Sequence, residues 1–394
     1  MSTYVPKGFL FSTVEAAIKK PGRKDLALIY SEKQAVIAGM FTKNRVKAAP
    51  VKLDMMRMKS GKGQAIVVNS GNANACTGKQ GMKDAAAMTG EIARSLGLKP
   101  DKVYACSTGV IGTPMPMDRI MLSMPELING IGKSTIEDVA AAIMTTDTFP
   151  KIVNRKIKVG GKTVIISGVC KGAGMICPNM ATMLCFVMTD ANIQKSALGT
   201  ALKEAVKESF NMITVDGDMS TNDMVLIMAN GIAGNRLIRK NSSTFKAFAS
   251  ALSEVTYELS KLIIKDGEGS SKLVGIDIRK AKNSVEAQNG AFAVANSLLV
   301  KTAIYGNDAN WGRMMAALGY SGITIKEEKV DIFLNGLKVV EKGMTTGKDA
   351  EASERLKSEE IRIIIDLHLG KGNAKVLTCD LTEDYIKINA EYRT

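Results

Sequence analysis

The sequence has very little histidine and few aromatic residues: His368 is its only histidine, and Phe, Tyr and Trp together make up 5% of 394 residues. One histidine cannot form a two-histidine metal site, and it could serve a serine or cysteine nucleophile only if that nucleophile folded against it. Because His368 lies in the apolar stretch "IIIDLHLG", we expect a packed strand residue. Nucleophilic catalysis in this chain would therefore need another base.

Paired cysteines and long apolar runs are also missing. None of the six cysteines belongs to a C-x-x-C pair, which argues against zinc and thioredoxin-type sites. We expect buried, reduced thiols in a cytoplasmic protein. The longest apolar runs are much shorter than a membrane span, and the first twenty residues do not resemble a secretion signal.

The positive charge is large but dispersed. The net charge is +14, yet no run of five basic residues occurs and aromatic residues for base stacking are scarce. This distribution argues against a nucleic-acid partner and favours anionic small-molecule substrates.

Two segments resemble known binding loops but are incomplete. "GIGKST" (130–135) lacks the first glycine of a phosphate loop, because Leu127 occupies that position. We interpret it as the start of a helix with a capping box from Ser134 to Glu137. "DGDMSTND" (216–223) lacks two calcium-loop residues, including the final glutamate, which is replaced by Ile227, so we interpret it as a polar turn.

Periodicity predicts alternating helices and strands. Helices are expected over residues 82–96, 192–210, 243–267 and 284–300. Strands are expected over residues 64–69, 164–167, 183–188 and 224–229. The C-terminal part looks richer in strands, with a hairpin turn at Asn335 and Gly336 and a closing strand in "DYIKINAEY". The expected class is α/β (α+β), with helices layered over sheets.

One segment suggests a nucleophile that carries its own base. In "KGAGMICPNMATML" (171–184), Thr182 stands between a loop containing Pro178 and an apolar run. A threonine hydroxyl can be activated by the α-amine of the same residue, which requires a backbone cut before it. A loop stiffened by proline and ending in the small Ala181 suits such a cut. On these residues alone, a structural threonine at a strand start is the more common interpretation.

The same segment resembles the signature of the ornithine acetyltransferase family, the glutamate N-acetyltransferases of arginine biosynthesis. Further similar segments follow in order along nearly the whole chain: "VNSGNANACTG" (68–78), "STGVIG" (107–112), "MTTDTFPK" (144–151), "VDGDMSTND" (215–223), "KDGEGSSK" (265–272), "YGNDANWGR" (305–313) and the C-terminal "INAEYRT". The resemblance implies transfer of an acetyl group from N2-acetylornithine to glutamate in two half-reactions through acetyl-Thr182. It also implies a layered αββα-type sandwich with a smaller β-rich C-terminal lobe at about residues 280–394.

The resemblance further implies self-cleavage between Ala181 and Thr182. The products would be an α chain (1–181) and a β chain (182–394) that remain one interlocked unit and assemble as an α2β2 heterotetramer. Thr182 would be the nucleophile, and the Thr108 hydroxyl and Gly109 N–H would form the oxyanion hole.

The implied substrate contacts are Thr145, Lys171, Thr182, Glu268, Asn389 and Thr394. Lys171 would pair with the substrate α-carboxylate, and Glu268, expected near a loop surface, would hold the ornithine ammonium. No metal, nucleotide or organic cofactor is expected. Around the signature the chain departs from the family pattern at Cys170, Ala173, Cys177 and Cys185, substitutions small enough to keep the backbone path.

Two alternatives remain open from the sequence. One is a self-cleaving amidohydrolase or aminopeptidase with the same nucleophile and water as the acyl acceptor, and the other is a non-catalytic basic binding protein. The partners expected are small-molecule substrates, with no nucleic acid and no membrane. Whether acetyl-CoA is a second donor is left open by the motifs.

Overall fold

The structure, a computed structural model, describes residues 4–177, 183–240 and 242–391. The predicted cleavage residues Ala181 and Thr182, and the predicted contact Thr394, lie outside the described residues. The chain divides into two compact units. The described residues of unit 1 are 4–172, 183–211, 219–240 and 242–263, and those of unit 2 are 173–177, 212–218 and 264–391.

Unit 1 contains eight strands and most of the long helices among the described residues. Its strands are β1 (Phe9–Val14), β2 (Leu26–Phe41), β3 (Lys62–Asn72), β4 (Val103–Val110), β5 (Lys151–Val159), β6 (Lys162–Lys171), β7 (Leu184–Thr189) and β8 (Met224–Ala229). The helices that begin in it are α1 (Ala49–Arg57), α2 (Gly78–Ser95), α3 (Met117–Asn129), α4 (Ile136–Ala142), α5 (Lys195–Lys207) and α6 (Ser243–Lys265).

The sheet of unit 1 has two halves joined by the long strand β2. The first part of β2 pairs with β1 and β3, whereas residues 36–41 pair with β8, in the order β4-β3-β2-β8-β7-β6-β5. One apolar core combines residues of both halves, including Ile66 of β3 and Phe186 of β7. The Asn222 side chain, next to β8, donates to the Ser107 carbonyl of β4. Because β4 is three places from β8 in the order, this contact requires the halves to face one another.

Helices cover the outer faces of both halves. Met88 of α2 and Met124 of α3 pack against β3 and β4 in a second core. On the other half, Val255 and Leu259 of α6 lie so close to Gly168 of β6 that an added Cβ would be 2.7 Å from Leu259. The predicted layered αββα-type sandwich of class α/β is therefore confirmed.

Unit 2 is a smaller α+β body. Its strands are β9 (Leu273–Ala281), β10 (Asp331–Leu334), β11 (Leu337–Glu341), β12 (Met344–Thr345), β13 (Glu360–Asp366) and β14 (Gly372–Cys379), in the order β12-β11-β10-β13-β9-β14. Its helices are α7 (Ser284–Asn296), α8 (Leu298–Tyr305), α9 (Trp311–Tyr320), α10 (Asp349–Arg355) and α11 (Glu383–Ala390). Side chains such as Ile276 of β9, Ala291 of α7 and Leu318 of α9 form its core.

Several sequence predictions are confirmed and two need adjustment. Strand β8 coincides with the predicted residues 224–229, and Asn335 and Gly336 form the predicted turn with φ values of 44° and 81°. The capping box is one residue later than predicted, between Thr135 and Asp138. The helix predicted over 284–300 is two helices, because the chain turns at Ser297, whose side chain caps α8.

Two predictions about the C-terminal part are wrong. Residues 384–390 of the segment "DYIKINAEY" belong to helix α11, not a strand. Acidic residues in its first turn and the Asp384–Lys387 ion pair favour a helix. His368 is exposed rather than packed, with φ of 49° just beyond β13. Among the described residues, no helix is long and apolar enough to cross a membrane.

Candidate functional site

The predicted oxyanion-hole residues lie at the end of β4 in unit 1. Strand β4 runs parallel to β3, which places Gly109 against Gly71. Gly109 has φ of 133°, and a Cβ there would be 2.2 Å from the Gly71 carbonyl carbon. Only glycine fits this position. Thr108 is buried, and within the described part of the chain no hydrogen bond engages its hydroxyl. This hydroxyl is therefore available as a donor.

A buried charge cluster includes the predicted contact Lys171, at the end of β6. The Asp147 carboxylate lies 2.7 Å from the Lys151 ammonium and 3.9 Å from that of Lys171, and all three side chains are at most 4% exposed. Taken singly, Lys171 would be a surface charge, but the fold buries it. A buried ammonium group such as that of Lys171 suits a substrate carboxylate.

Asp147 also fixes the backbone around the predicted contacts. It accepts from the backbone N–H of Thr145 at 3.0 Å and of Gly172 at 2.6 Å. Burial alone would raise the pKa of Asp147, but the ammonium groups of Lys171 and Lys151 outweigh it and hold the pKa at about 2. The carboxylate therefore stays ionised and positions two predicted substrate contacts, Thr145 and Lys171.

A second buried carboxyl in unit 1 belongs to Asp223, directly before β8. Its Oδ1 accepts from the backbone N–H of Met183 at 3.1 Å, and Met183 follows the predicted nucleophile in sequence. Its Oδ2 has no hydrogen-bond partner within the part of the chain that the structure describes. Complete burial raises the pKa of Asp223 well above its usual range, despite the opposing effects of the Met183 N–H and the Lys171 charge.

In unit 2, the predicted contacts Glu268 and Asn389 touch each other. The Asn389 Nδ2 donates to Glu268 Oε2 at 2.8 Å. Glu268 follows helix α6 and is 8% exposed, so the expectation of a surface position is wrong. A Cβ on Gly174 would be 2.2 Å from Glu268 Oε2, which explains the glycine there. The Glu268 backbone N–H also donates to the Ala173 carbonyl at 3.0 Å.

Another carboxylate of unit 2, Asp216, holds the segment that leads toward the predicted cleavage site. It accepts from the backbone N–H groups of Met175 at 2.6 Å and Ile176 at 2.9 Å, and from the Tyr385 hydroxyl at 3.3 Å. Burial raises the pKa of Asp216, and burial together with the Asp216 charge raises the pKa of Tyr385. These contacts fix residues 175 and 176 to helix α11.

Four of these side chains have no role predicted from the sequence: Asp147, Lys151, Asp216 and Asp223. Asp147 and Lys151 lie in "MTTDTFPK", which had been noted only as similar to the family. Asp216 and Asp223 lie in "VDGDMSTND", which had also been interpreted as a polar turn. The similarity of these segments to the family was therefore a signal that could have pointed to the four side chains. Their burial and hydrogen bonds become visible only in the folded chain.

The fold and these groups define a class of layered α/β protein. Its members would carry a hydroxyl and a glycine at the end of one strand, here Thr108 and Gly109, and buried lysines that suit a carboxylate ligand. Comparison with known proteins narrows the class. Residues 10–394 match the ArgJ family. The arginine biosynthesis bifunctional protein ArgJ of Geobacter sulfurreducens is 53% identical, with 98% of this chain and 99% of the relative covered.

Two further proteins agree with this match. The protein of the same name from Caldanaerobacter subterraneus subsp. tengcongensis is 51% identical over 99% of this chain and 98% of the relative. A crystal structure of arginine biosynthesis bifunctional protein ArgJ from Bacillus halodurans is 44% identical with a TM-score of 0.51, covering 52% of this chain and 97% of the solved chain. The chain belongs to the ArgJ family, and the resemblance stated from its sequence is confirmed.

Proposed function

We propose that this chain is a self-cleaving acyltransferase that moves the acetyl group of N2-acetylornithine to glutamate in arginine biosynthesis. The observation that carries the proposal is the match to bifunctional ArgJ proteins over 98% of the chain, together with the signature segment around Thr182. The names of these relatives place them in arginine biosynthesis. The substrates and residue roles come from the family resemblance.

The first half-reaction acylates Thr182. Its α-amine, freed by cleavage, takes the hydroxyl proton while the oxygen attacks the acetyl carbonyl. The oxyanion accepts hydrogen bonds from the Thr108 hydroxyl and the Gly109 N–H, donors that suit a tetrahedral intermediate. As the intermediate collapses, the carbon–nitrogen bond breaks and the ornithine amine takes the proton from the Thr182 ammonium. In the second half-reaction, the glutamate amine attacks the acetyl ester by the reverse route.

Substrate recognition uses the buried charges. Lys171, beside Asp147, pairs with the α-carboxylate that both substrates share. Glu268, which accepts from Asn389, accepts the side-chain ammonium of ornithine. Thr145 contributes a further polar contact, and its backbone is held by Asp147. Thr394 completes the proposed set from outside the described residues.

Two observations support self-cleavage into fragments that stay together. Strand β6 ends before the proposed cut and β7 begins after it, and these strands pair antiparallel from Ile166 to Lys171. Sheet hydrogen bonds and the shared core would therefore hold the cut chain together. The match includes 97% of the solved Bacillus chain but only 52% of this chain. A solved chain that is one fragment of a cut precursor would give this coverage. The α2β2 assembly rests on the resemblance, and a cytoplasmic location rests on the expectation of reduced thiols.

The experiment that tests the proposal combines a transfer assay with one substitution. Wild-type protein incubated with N2-acetylornithine and glutamate should form N-acetylglutamate and show two bands on denaturing electrophoresis. Thr182→Ala should remain one band and lose all measurable transfer, because hydroxyl and base belong to the same residue. The conservative Thr182→Ser should retain partial cleavage and transfer. Transfer by Thr182→Ala protein would refute the mechanism, and release of acetate without N-acetylglutamate would favour the amidohydrolase.

A further inference from the structure

Asn222 connects the loop before β8 to the strand that carries the proposed oxyanion hole. Its Nδ2 donates to the carbonyl of Ser107 at 2.8 Å and to that of Ala73 at 2.6 Å. Ser107 directly precedes Thr108. The amide is oriented by the Thr221 hydroxyl, which donates to Asn222 Oδ1 at 2.6 Å. One buried side chain therefore holds the ends of both β3 and β4 in place.

The next residue, Asp223, contacts the residue that follows the proposed nucleophile in sequence. Its Oδ1 accepts from the Met183 N–H at 3.1 Å, and the Met183 carbonyl accepts from the Met224 N–H at 3.2 Å. Met183 directly follows Thr182. Both hydrogen bonds tie the start of β7 to the start of β8.

The backbone that carries this pair of residues is itself fixed. The Thr42 N–H donates to the Asp223 carbonyl at 3.0 Å, and the Ala48 N–H donates to the Thr221 carbonyl at 2.9 Å. Asn222 and Asp223 are 5% exposed or less. Buried side chains with several hydrogen bonds to a fixed backbone have little freedom to move.

We propose that Asn222 and Asp223 are positioning residues that set the separation between the nucleophile and the oxyanion hole. The inference rests on the proposed function, since it takes Thr182 as nucleophile and Thr108 and Gly109 as oxyanion donors. Each side chain holds the residue next to a reacting group, and the two are joined by a single peptide bond. A misplacement of about 1 Å between reacting groups can lower turnover about 100-fold.

The test compares Asn222→Ala with a matched substitution at the other end of β8. Asn230 follows β8, is 3% exposed, and donates from Nδ2 to the Lys7 carbonyl at 2.8 Å and the Ser31 hydroxyl at 3.3 Å. We expect Asn222→Ala to lower kcat about 100-fold and to slow self-cleavage, with the KM for acetylornithine unchanged. Asn230→Ala should lower Tm by a similar amount but leave kcat and cleavage unchanged.

A gentler variant covers the case in which Asn222→Ala fails to fold. Thr221→Val removes only the hydroxyl that orients the Asn222 amide, so the fold should persist while kcat falls about 10-fold. Asp223→Ala should also lower kcat, whereas Asp223→Asn, which keeps an acceptor for the Met183 N–H, should restore most of it. A purely structural role would produce losses of Tm without this pattern in kcat.

The outcomes separate the inference from the function on which it rests. Wild-type protein without transfer activity would overturn the proposed function and this inference with it. Active wild-type enzyme, with Asn222→Ala and Thr221→Val variants as fast as Asn230→Ala, would overturn the inference alone. A parallel loss of cleavage and kcat in the Asn222 and Thr221 variants, at constant KM, would support it.

Discussion

The two ends of the β7–β8 strand pair differ in how they use buried polar groups. At the far end, Asp190 accepts from the Ile165 N–H at 2.9 Å and from the Lys7 N–H at 3.3 Å, one bond to each oxygen. At the starting end, Asp223 has one oxygen without a hydrogen bond within the described part of the chain. Lys171 also lies at this end, because it pairs with Leu184.

This contrast between the two ends indicates which buried polar groups the fold itself does not require. Burying a carboxyl oxygen without a hydrogen-bond partner costs stability. At the far end this cost is avoided, because each Asp190 oxygen accepts a hydrogen bond. Such groups are typical of functional sites, and here Asp223 accepts from the N–H of Met183, which follows the proposed nucleophile in sequence. Substitutions at the two ends should therefore have different consequences.

The largest effect is expected at Asp147. Asp147→Asn removes the charge of a buried carboxylate that pairs with Lys151 and Lys171, and breaking a buried ion pair should cost about 3–5 kcal/mol in the free energy of unfolding. The pKa of Asp147 is about 2 in the folded chain against an ordinary value of 3.8, so its stabilising contribution is complete above pH 3.8 and is lost as the pH falls toward 2. Urea unfolding at several pH values measures both effects.

The matched control for this substitution is Asp190→Asn at the far end. It keeps one acceptor oxygen, and we expect a cost of about 1 kcal/mol. Equal costs for the two substitutions at neutral pH would contradict the distinction between the two ends.

The next effect is expected at Thr108. Thr108→Val removes the proposed oxyanion donor and should lower kcat about 100- to 1000-fold, with little change in Tm. The control is Thr189→Val, which removes a buried hydroxyl that donates to the Ile165 carbonyl at 2.7 Å at the far end. That variant should lose about 1 kcal/mol of stability and keep its kcat. Steady-state kinetics and thermal unfolding of both variants measure these effects. A normal kcat for Thr108→Val would remove Thr108 from the mechanism.

In unit 2, the carboxylates of Asp216 and Glu268 show a similar contrast, and substitution of Glu268 should have a smaller effect on activity. Asp216 has its oxygens occupied by backbone and tyrosine donors, whereas Glu268 is contacted by the Asn389 amide. Glu268→Gln should raise the KM for N2-acetylornithine about 10- to 100-fold, because a charge-assisted hydrogen bond to the ammonium is lost. The KM for glutamate should not rise, since glutamate has no side-chain ammonium. An equal increase for both substrates would contradict this role.

The smallest expected effect is a pH dependence of stability caused by Asp223, opposite in sign to the dependence caused by Asp147. Burial raises the pKa of Asp223, so the folded state holds this proton more tightly than the unfolded state. Stability should therefore fall as the pH rises above 3.8 through the raised pKa. Asp223→Asn removes this dependence and should be as stable as wild type, within about 1 kcal/mol, near pH 4 and relatively more stable at pH 7. A wild-type stability that rises over this interval relative to Asp223→Asn would contradict the burial argument.

Much of the fold could be predicted from local pattern. Strand β8 and the Asn335–Gly336 turn follow from apolar runs and turn chemistry, and the family signature implied the layered fold. The segment of helix α11 was predicted as a strand because its alternating residues suit either structure. Its acidic first turn and the Asp384–Lys387 ion pair favour the helix. The local pattern also could not show that the chain turns at Ser297.

The candidate site was predicted less completely, for a physical reason. Thr108, Gly109 and Lys171 came from segments similar to the family, but their burial depends on strands that are distant in sequence. Asn222 and Ser107 are 115 positions apart and still form a hydrogen bond, which no local pattern indicates. The roles of Asp147 and Asp223 therefore became apparent only from the folded arrangement.

Self-cleavage and acetylation of Thr182 are tested together by the intact mass of fully active enzyme after incubation with N2-acetylornithine alone. We expect two fragments divided between Ala181 and Thr182, with one acetyl group on the fragment that begins at Thr182. Addition of glutamate should remove that acetyl group and form N-acetylglutamate. A single uncut chain in material with full transfer activity would contradict the account.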